Sequence, residues 1–355
     1  MIKTPPTNSR RTGESPFLHH RFQTLDALRG IAAIVVVVFH NRVLFGWTPR
    51  HGYLAVDLFF TLSGFVLSHS YQSRLDGGLP TKTFLYARIG RLAPLYLLTF
   101  VLGVIGTIAE GANGWLHFTW KQHLLYIVLG VFLLPAHYSA QGGIPLFPYN
   151  YPSWTLFLEV LMNVGHAVFL RRSRTGILFG ICATSAFSLT IIYLSGRNLD
   201  AGWDWSTLFT TGISRAVFSY TMGMLLYRGW SRNRRIIPIP APLVLLLVTA
   251  VLTLPTPHPT AASLLFILLL IPAVVYLGAR VEPGTLSRRI FSSLGAASYA
   301  IYLLQSPFFI FFHWLWPAST TYIPWSGCVL VATLIAVSSA VDVFYDTPVR
   351  LALRK

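Results

Sequence analysis

The chain has 355 residues, of which 54% are hydrophobic and 11% are charged. Soluble domains are about 45–50% apolar and about 25% charged, so this composition excludes a soluble globular protein and predicts that lipid surrounds most of the chain. The formal net charge is +16. Its basic residues cluster between apolar runs, which is typical of cytoplasmic loops in a membrane protein and argues against a nucleic-acid-binding surface.

The apolar runs predict an all-α, polytopic membrane helix bundle. A transmembrane helix needs about 20 residues, so such helices take up nearly the whole chain. We expect a polar, basic N-terminal tail over 1–24, a membrane domain over 25–347 and a basic C-terminal tail over 348–355, with no further soluble domain. In chain order the candidate runs are 28–46, 53–71, 92–109, 123–136, 154–170, 175–195, 207–227, 238–256, 260–279, 290–316 and 325–345.

The run 123–136 is too short for a full span and suits a re-entrant or interfacial segment better, although a spanning segment stays open. If this run does not cross, nearly all clusters of lysine and arginine fall on the side of the N-terminus, as the positive-inside rule requires. We therefore predict about ten transmembrane helices with the N- and C-termini in the cytoplasm.

The first run, LDALRGIAAIVVVVFH, carries Arg29 and His40, eleven residues apart. At about 100° per residue the two side chains share one helix face, about 16 Å apart along the axis. Arginine binds phosphate as a fork, and histidine is the usual general base near neutral pH. We therefore expect Arg29 at a cytoplasmic donor entrance and His40 as the base in the outer half of the span. A snorkelling arginine and a structural histidine remain the alternative.

The second run contains Asp57 and, further on, Ser63 next to Gly64. Asp57 is either an ordinary carboxylate near a helix end or the group that orients His40. Ser63 is a candidate for contact with an acceptor, but a Ser–Gly pair in a membrane helix more often marks close helix packing.

Arg88 and Arg91 come just before the third run. One interpretation makes them ordinary positive-inside anchors. The other makes them a second set of contacts for the phosphates of the donor.

Glu159 lies one and a half turns inside the run that begins at 154, where an unpaired carboxylate is costly. Its partner is His40, Arg215 or a substrate hydroxyl. Asn163, four residues later, lies on the same helix face as Glu159 and can form a hydrogen bond with it. Trp154 is expected in the interfacial aromatic belt. Trp154 and Asn163 are therefore candidates for acceptor contact or helix packing.

Five segments together resemble the acyltransferase-3 family of bacterial membrane O-acyltransferases. Each is weak alone, but all five occur in the family's order. They are LDALRGIAAIVVVVFH (25–40), DLFFTLSGFVL (57–67), RIGRLAPLY (88–96), PSWTLFLEV (152–160) and SYAIYLLQSP (298–307). The chain departs from the family's pattern at Thr155, where a serine is usual, and at Gln305, where many members have histidine.

The resemblance implies ten helices in the inner (plasma) membrane and transfer of an acyl group from an acyl-CoA-type donor to a hydroxyl. The acceptor is a carbohydrate, a glycolipid or a similar molecule. His40 is then the catalytic base, Glu159 is functionally important, and Arg29, Arg88 and Arg91 lie near the donor. We expect acyl-CoA as co-substrate, no prosthetic cofactor, no metal and no hydrolase-like C-terminal domain.

The resulting hypothesis is that His40 takes the proton of the acceptor hydroxyl as it attacks the thioester, with Glu159 or Asp57 holding the imidazole. A transporter or flippase is the alternative from another class, because it also needs polar residues inside a bundle. The sequence shows no internal repeat of the kind that transporters often have. A non-catalytic scaffold would leave the costly intramembrane charges unexplained.

Overall fold

The computed structural model describes residues 21–111, 118–137 and 145–353, with the backbone only of Leu286. These residues form helices and no β-strand, which confirms the predicted all-α class. Within them, eleven helices of twelve residues or more follow in chain order. They are α1 (Gln23–His40), α2 (Ala55–Asp76), α3 (Thr81–Glu110), α4 (Trp120–Val131), α5 (Ser153–Val168), α6 (Thr175–Leu194), α7 (Ile213–Arg232), α8 (Ala241–Thr253), α9 (Pro259–Gly278), α10 (Thr285–Leu315) and α11 (Trp325–Ala352).

The helix boundaries differ from the boundaries of the predicted apolar runs. α3 begins at Thr81, well before the predicted run at 92, because the arginine and lysine residues that interrupt an apolar run are good helix formers. α1 ends at His40 because the chain then makes a short turn closed by Gly46, whose φ of 70° suits glycine. The predicted tail over 1–24 lies almost wholly outside the described residues, and α11 continues past the predicted domain end at 347.

Seven helices in the described part of the chain are long and apolar enough to cross a membrane, namely α1, α2 with the turn before it, α3, α6, α9, α10 and α11. The chain is therefore a multi-pass membrane protein. Of the others, α4, α5 and α8 have 12, 16 and 13 residues. α7 has 20 residues, but three of them are arginines, which make it more polar than the seven. The count of ten spans and the cytoplasmic termini stay predictions.

Close backbone contact between α2 and α7 forms one side of the bundle. A Cβ atom on Gly64 would meet the carbonyl oxygen of Tyr220, and one on Gly223 would meet the carbonyl oxygen of Thr61. Small residues at such crossings let membrane helices approach closely. The helix-packing interpretation of the Ser63–Gly64 pair is therefore correct for Gly64.

Three cavities follow one another along α1, between α1, α2, α3, α5, α10 and α11. We call the first the mouth; it lies at the start of α1 and includes Arg21, Asp26, Arg29, Arg91, Asp342 and Arg350. The central cavity follows and includes Arg29, Ser63, Arg88, Arg91, Glu159 and Tyr302. The vestibule lies at the end of α1 and includes His40, Glu110, Tyr149, Tyr151, Pro152 and Gln305.

The residues that flank the α4 segment on both sides lie near the vestibule. Thr107 and Glu110, near the end of α3, and Pro152, just before α5, all line the vestibule. The hydroxyl of Tyr96 donates to the carbonyl of Gly130, so the end of α4 lies beside the middle of α3. A short α4 whose two flanks lie on one side of the bundle is the arrangement that the ten-span prediction requires.

Candidate active site

The mouth is lined by arginine side chains from the start of α1 and from α3. Asp26 contacts Arg21 at 2.7 Å and Arg29 at 3.6 Å, so one carboxylate serves two guanidinium groups. Arg91 lines the same cavity with its side chain exposed, and among the described residues it has no carboxylate within ion-pair distance. The guanidinium of Arg91 is therefore available to an anionic ligand.

α11 closes another wall of the mouth with an ion-pair network. Arg350 lies 3.1 Å from a carboxylate oxygen of Asp342 and 3.1 Å from one of Asp346. Two carboxylates on one guanidinium leave this wall with a net negative charge. The cationic side of the mouth is therefore the side of Arg29 and Arg91.

The central cavity continues from the mouth, since Arg29 and Arg91 line both. In its wall, Arg88 donates to Glu159 at 3.1 Å and Ser63 donates to the same carboxylate oxygen at 3.3 Å. These contacts give Glu159 a cationic partner on α3 and a neutral one on α2. Of the partners that the sequence left open for Glu159, the structure supports neither His40 nor Arg215.

A tyrosine from α10 lies between the central cavity and the vestibule. The hydroxyl of Tyr302 is 2.8 Å from Oγ1 of Thr155 and donates to the carbonyl of Pro152 at 3.4 Å. Phe59 packs edge-on against the ring, with centroids 5.2 Å apart. Tyr302 and Thr155 line the central cavity, whereas Pro152 lines the vestibule. We call this group of four residues the partition.

His40 opens into the vestibule, and its side chain is exposed there. Nδ1 of its imidazole lies 3.2 Å from Oε1 of Gln305, and the ring of Tyr151 packs edge-on against it at 5.2 Å. Burial raises the pKa of Tyr151 above its usual range, so this phenol stays neutral even at alkaline pH. Arg29 and His40, which the sequence places on one face of α1, therefore line different cavities, because the partition lies between them.

Asp57 does not contact His40, so the interpretation in which it orients the imidazole is wrong. Its carboxylate is fully buried and accepts from Arg215 in a two-oxygen contact, with Ser219 donating at 3.3 Å. Arg215 also donates to the carbonyls of Leu199 and Ala201, at 3.0 and 3.1 Å. The Asp57–Arg215 pair thus links the 199–201 segment to α2 and α7 and stabilises the bundle.

Trp154 and Asn163 also differ from expectation. Trp154 is buried and contacts Gly202, where a Cβ atom would clash with the indole, so it does not lie in an interfacial belt. Asn163 is buried too, and neither polar atom of its side chain has a hydrogen-bond partner among the described residues. It therefore does not bond Glu159. Both residues pack the bundle, and neither lines the three cavities.

Sequence reasoning missed three residues of the site. Gln305 was set apart only as a departure from the family's pattern, yet it is the side-chain partner of His40. Tyr302 stood in a family segment without a role, and Glu110 fell one residue beyond its predicted run. A search for charged residues at the ends of the runs, as well as inside them, would have found Glu110.

Comparisons with known proteins support the resemblance. Over 180 residues the chain is 36% identical to Protein 2 in picA locus of Rhizobium radiobacter, an alignment that covers 48% of this chain and 94% of that protein. Over 370 residues it is 25% identical to the peptidoglycan O-acetyltransferase OatA of Listeria monocytogenes, which covers 92% of this chain and 55% of the relative. The chain thus spans about half the length of the Listeria protein. No solved structure matches it significantly.

A family model described as an acyltransferase domain matches residues 22–341, nearly the whole chain. This match includes all five segments that carry the resemblance, and it makes the protein an acyltransferase for groups other than amino-acyl groups. The transporter alternative loses its support. The chain belongs to the acyltransferase-3 family.

Proposed function

We propose that this protein moves a short acyl group, such as acetyl, from acyl-CoA to a hydroxyl of a carbohydrate or glycolipid, with His40 as the general base. The observation that carries this proposal is the environment of His40, an exposed imidazole that contacts the neutral amide of Gln305 in a cavity opposite the cationic mouth. The peptidoglycan O-acetyltransferase among the relatives supports acetyl as the group and a carbohydrate as the acceptor.

The hydrogen bonds of Gln305 select one tautomer of His40. Nε2 of Gln305 donates to the carbonyl of Tyr302 at 2.8 Å, which turns Oε1 toward the imidazole. An amide oxygen only accepts, so Nδ1 of His40 carries the hydrogen, and Nε2 is the basic nitrogen. A histidine with a fixed tautomer and an accessible basic nitrogen has what a general base needs.

The donor enters at the mouth. The phosphates of acyl-CoA contact Arg91 and Arg29, and the thin acyl-bearing arm extends into the central cavity past Arg88 and Glu159. The volumes agree with this division, since the mouth measures about 510 Å³ and the central cavity about 100 Å³. This assignment gives the three arginines predicted from the sequence different tasks, with Arg91 and Arg29 for the phosphates and Arg88 for holding Glu159 in the wall.

The reaction itself takes place at the partition. The acceptor oxygen attacks the thioester carbon while its proton passes to Nε2 of His40. A C–O bond forms, the C–S bond breaks, and the leaving thiolate takes the proton back from the imidazolium of His40, which leaves free CoA thiol and a neutral imidazole. The side chain of Tyr302 has to move for the thioester to reach His40, so the closed partition keeps water in the vestibule away from a waiting donor.

The proposed orientation puts the mouth on the cytoplasmic side of the inner membrane. Cytoplasmic acyl-CoA supports it, as do the basic clusters that the ten-span prediction collects on that side. A reporter fused after Lys355 is expected to read as cytoplasmic. An extracytoplasmic reading would contradict the orientation.

The test uses purified protein in liposomes, radiolabelled acetyl-CoA and a neutral chito-oligosaccharide. We expect label in the oligosaccharide with wild-type protein and with His258→Ala, which removes an exposed histidine at the start of α9, but not with His40→Ala. Uptake of an oligosaccharide without consumption of acetyl-CoA would overturn the proposal in favour of a transporter. Equal transfer by His40→Ala would overturn the role of His40.

A further inference from the structure

A carboxylate at the end of α3 shares the vestibule with His40. Glu110 is the last residue of that helix, is half-buried and lines the cavity. Among the described residues it has neither a salt bridge nor a hydrogen bond to its side chain, although the remaining carboxylates that line the three cavities all have partners. Glu110 thus stands apart from Asp26, Glu159 and Asp342.

Its position is unfavourable for the fold. The C-terminal end of a helix carries a partial negative charge, so a carboxylate there is repelled by the last carbonyl groups. Half-burial removes part of its hydration, and the imidazole of His313 on α10 attracts it only from beyond ion-pair distance. A stabilising role for Glu110 is therefore not supported, whereas a ligand that donates hydrogen bonds would supply what the protein does not.

The other groups in the vestibule indicate the chemistry of that ligand. Tyr149 and Tyr151 contribute aromatic rings, and Gln305 and Ser306 contribute neutral polar groups. The lining contains no lysine and no arginine among the described residues. The cavity of about 280 Å³ is close to the lower limit of usual small-molecule sites, about 300–1,000 Å³. Aromatic faces beside an unpaired carboxylate suit a polyhydroxyl ring, since a carboxylate accepts hydrogen bonds from two neighbouring hydroxyls.

We propose that Glu110 binds the acceptor and selects it by charge. In this assignment its carboxylate accepts hydrogen bonds from hydroxyls of a neutral or amino-bearing carbohydrate and repels carbohydrates that carry a carboxylate. The inference rests on the proposed function, because it assigns the acceptor to the cavity of His40. It goes beyond that function by naming the residue that discriminates and the charge class of acceptor that is rejected.

The experiment measures acetyl transfer to two acceptors of equal length, a neutral chito-oligosaccharide and an anionic oligogalacturonate, in wild type and Glu110→Gln. We expect wild-type protein to prefer the neutral acceptor. In Glu110→Gln the ratio of kcat/KM for neutral over anionic acceptor should fall about tenfold, the size expected for two like charges on the order of 10 Å apart at an effective dielectric constant near 20. Most of the change should appear in the KM of the anionic acceptor.

Two further variants make the result decisive. Glu110→Asp keeps the charge and should keep the wild-type ratio. Glu282→Gln removes a carboxylate just before α10, at the end of that helix nearer the mouth. It should leave kcat/KM for both acceptors unchanged. If Glu110→Gln transfers to both acceptors with the wild-type ratio, the inference is wrong while the proposed function stands. If wild-type protein transfers acetyl to neither acceptor although it is folded, the failure lies with the proposed function.

Discussion

α1 has a cavity at each end, and the two differ in chemistry. The mouth holds guanidinium groups, of which Arg29 shares a carboxylate and Arg91 has none among the described residues. The vestibule holds an imidazole, a carboxylate, two tyrosines and neutral polar groups. In the proposed function, a charged donor therefore binds at the mouth and an uncharged acceptor binds in the vestibule. One helix can serve both because its length keeps the two sites apart.

The two ends of α1 also differ from the bundle around them in how their charges are paired. Glu159 in the central cavity and Asp57 beside it are both held by arginines from other helices, so they shape the bundle. His40 and Glu110 have no ion-pair partner among the described residues. Groups left without ion-pair partners are those that a substrate can engage.

His40→Ala should have the largest effect on activity. A general base contributes about 10²–10⁴-fold, so kcat should fall by that factor while the KM for acetyl-CoA, set at the mouth, stays within about twofold. Steady-state kinetics in liposomes measures both. A folded variant with wild-type kcat would contradict the assignment of the catalytic step to the vestibule, since that cavity would then hold no catalytic group.

Asp57→Asn should destabilise the protein strongly. The carboxylate is fully buried, and its loss leaves the buried guanidinium of Arg215 without a counter-charge. Breaking such a pair costs about 3–5 kcal/mol. Thermal unfolding in detergent should show a large drop in melting temperature, and the double variant Asp57→Asn/Arg215→Met should regain part of it. An unchanged melting temperature would mean that the pair does not support the fold.

Arg91→Gln should weaken donor binding at the mouth. A hydrogen bond to a charged group contributes about 1.5–3 kcal/mol, so the KM for acetyl-CoA should rise at least about tenfold while kcat changes little. The matched control is Arg289→Gln, which removes an exposed arginine near the start of α10 that lines none of the three cavities. Equal KM values for the two variants would contradict the assignment of Arg91.

Tyr302→Phe should have the smallest effect and sharpen the boundary between the cavities. It keeps the ring and removes the bonds to Thr155 and Pro152. A neutral hydrogen bond contributes about 0.5–1.5 kcal/mol, so hydrolysis of acetyl-CoA without acceptor should rise about two- to tenfold. Tyr345→Phe, which loses a hydroxyl bond to Pro94 on another helix, should leave that hydrolysis unchanged. No difference between the two variants would mean that the partition does not shield the donor.

Much of the site could be predicted from local pattern. The 3.6-residue period put Arg29 and His40 on one face of α1, and both do line cavities. The high cost of an intramembrane carboxylate pointed to Glu159. The position of Arg88 and Arg91 just before the third run made them candidates for donor contact, and all three residues line the central cavity. Local pattern gives the side of a helix that a residue occupies, but it does not give the residue on the opposite helix.

The sequence by itself determined that the protein lies in a membrane, its all-helical class, its family and most of its candidate residues. Composition, periodicity and motif order are local properties, so they can be read without the fold. Only the tertiary structure decided the partners. It paired Asp57 with Arg215, 158 residues later, and His40 with Gln305, 265 residues later. It also placed the partition between Arg29 and His40, so that residues on one face of α1 line different cavities. Such contacts depend on which helices lie side by side, and helix packing is set by side-chain shape along the whole chain.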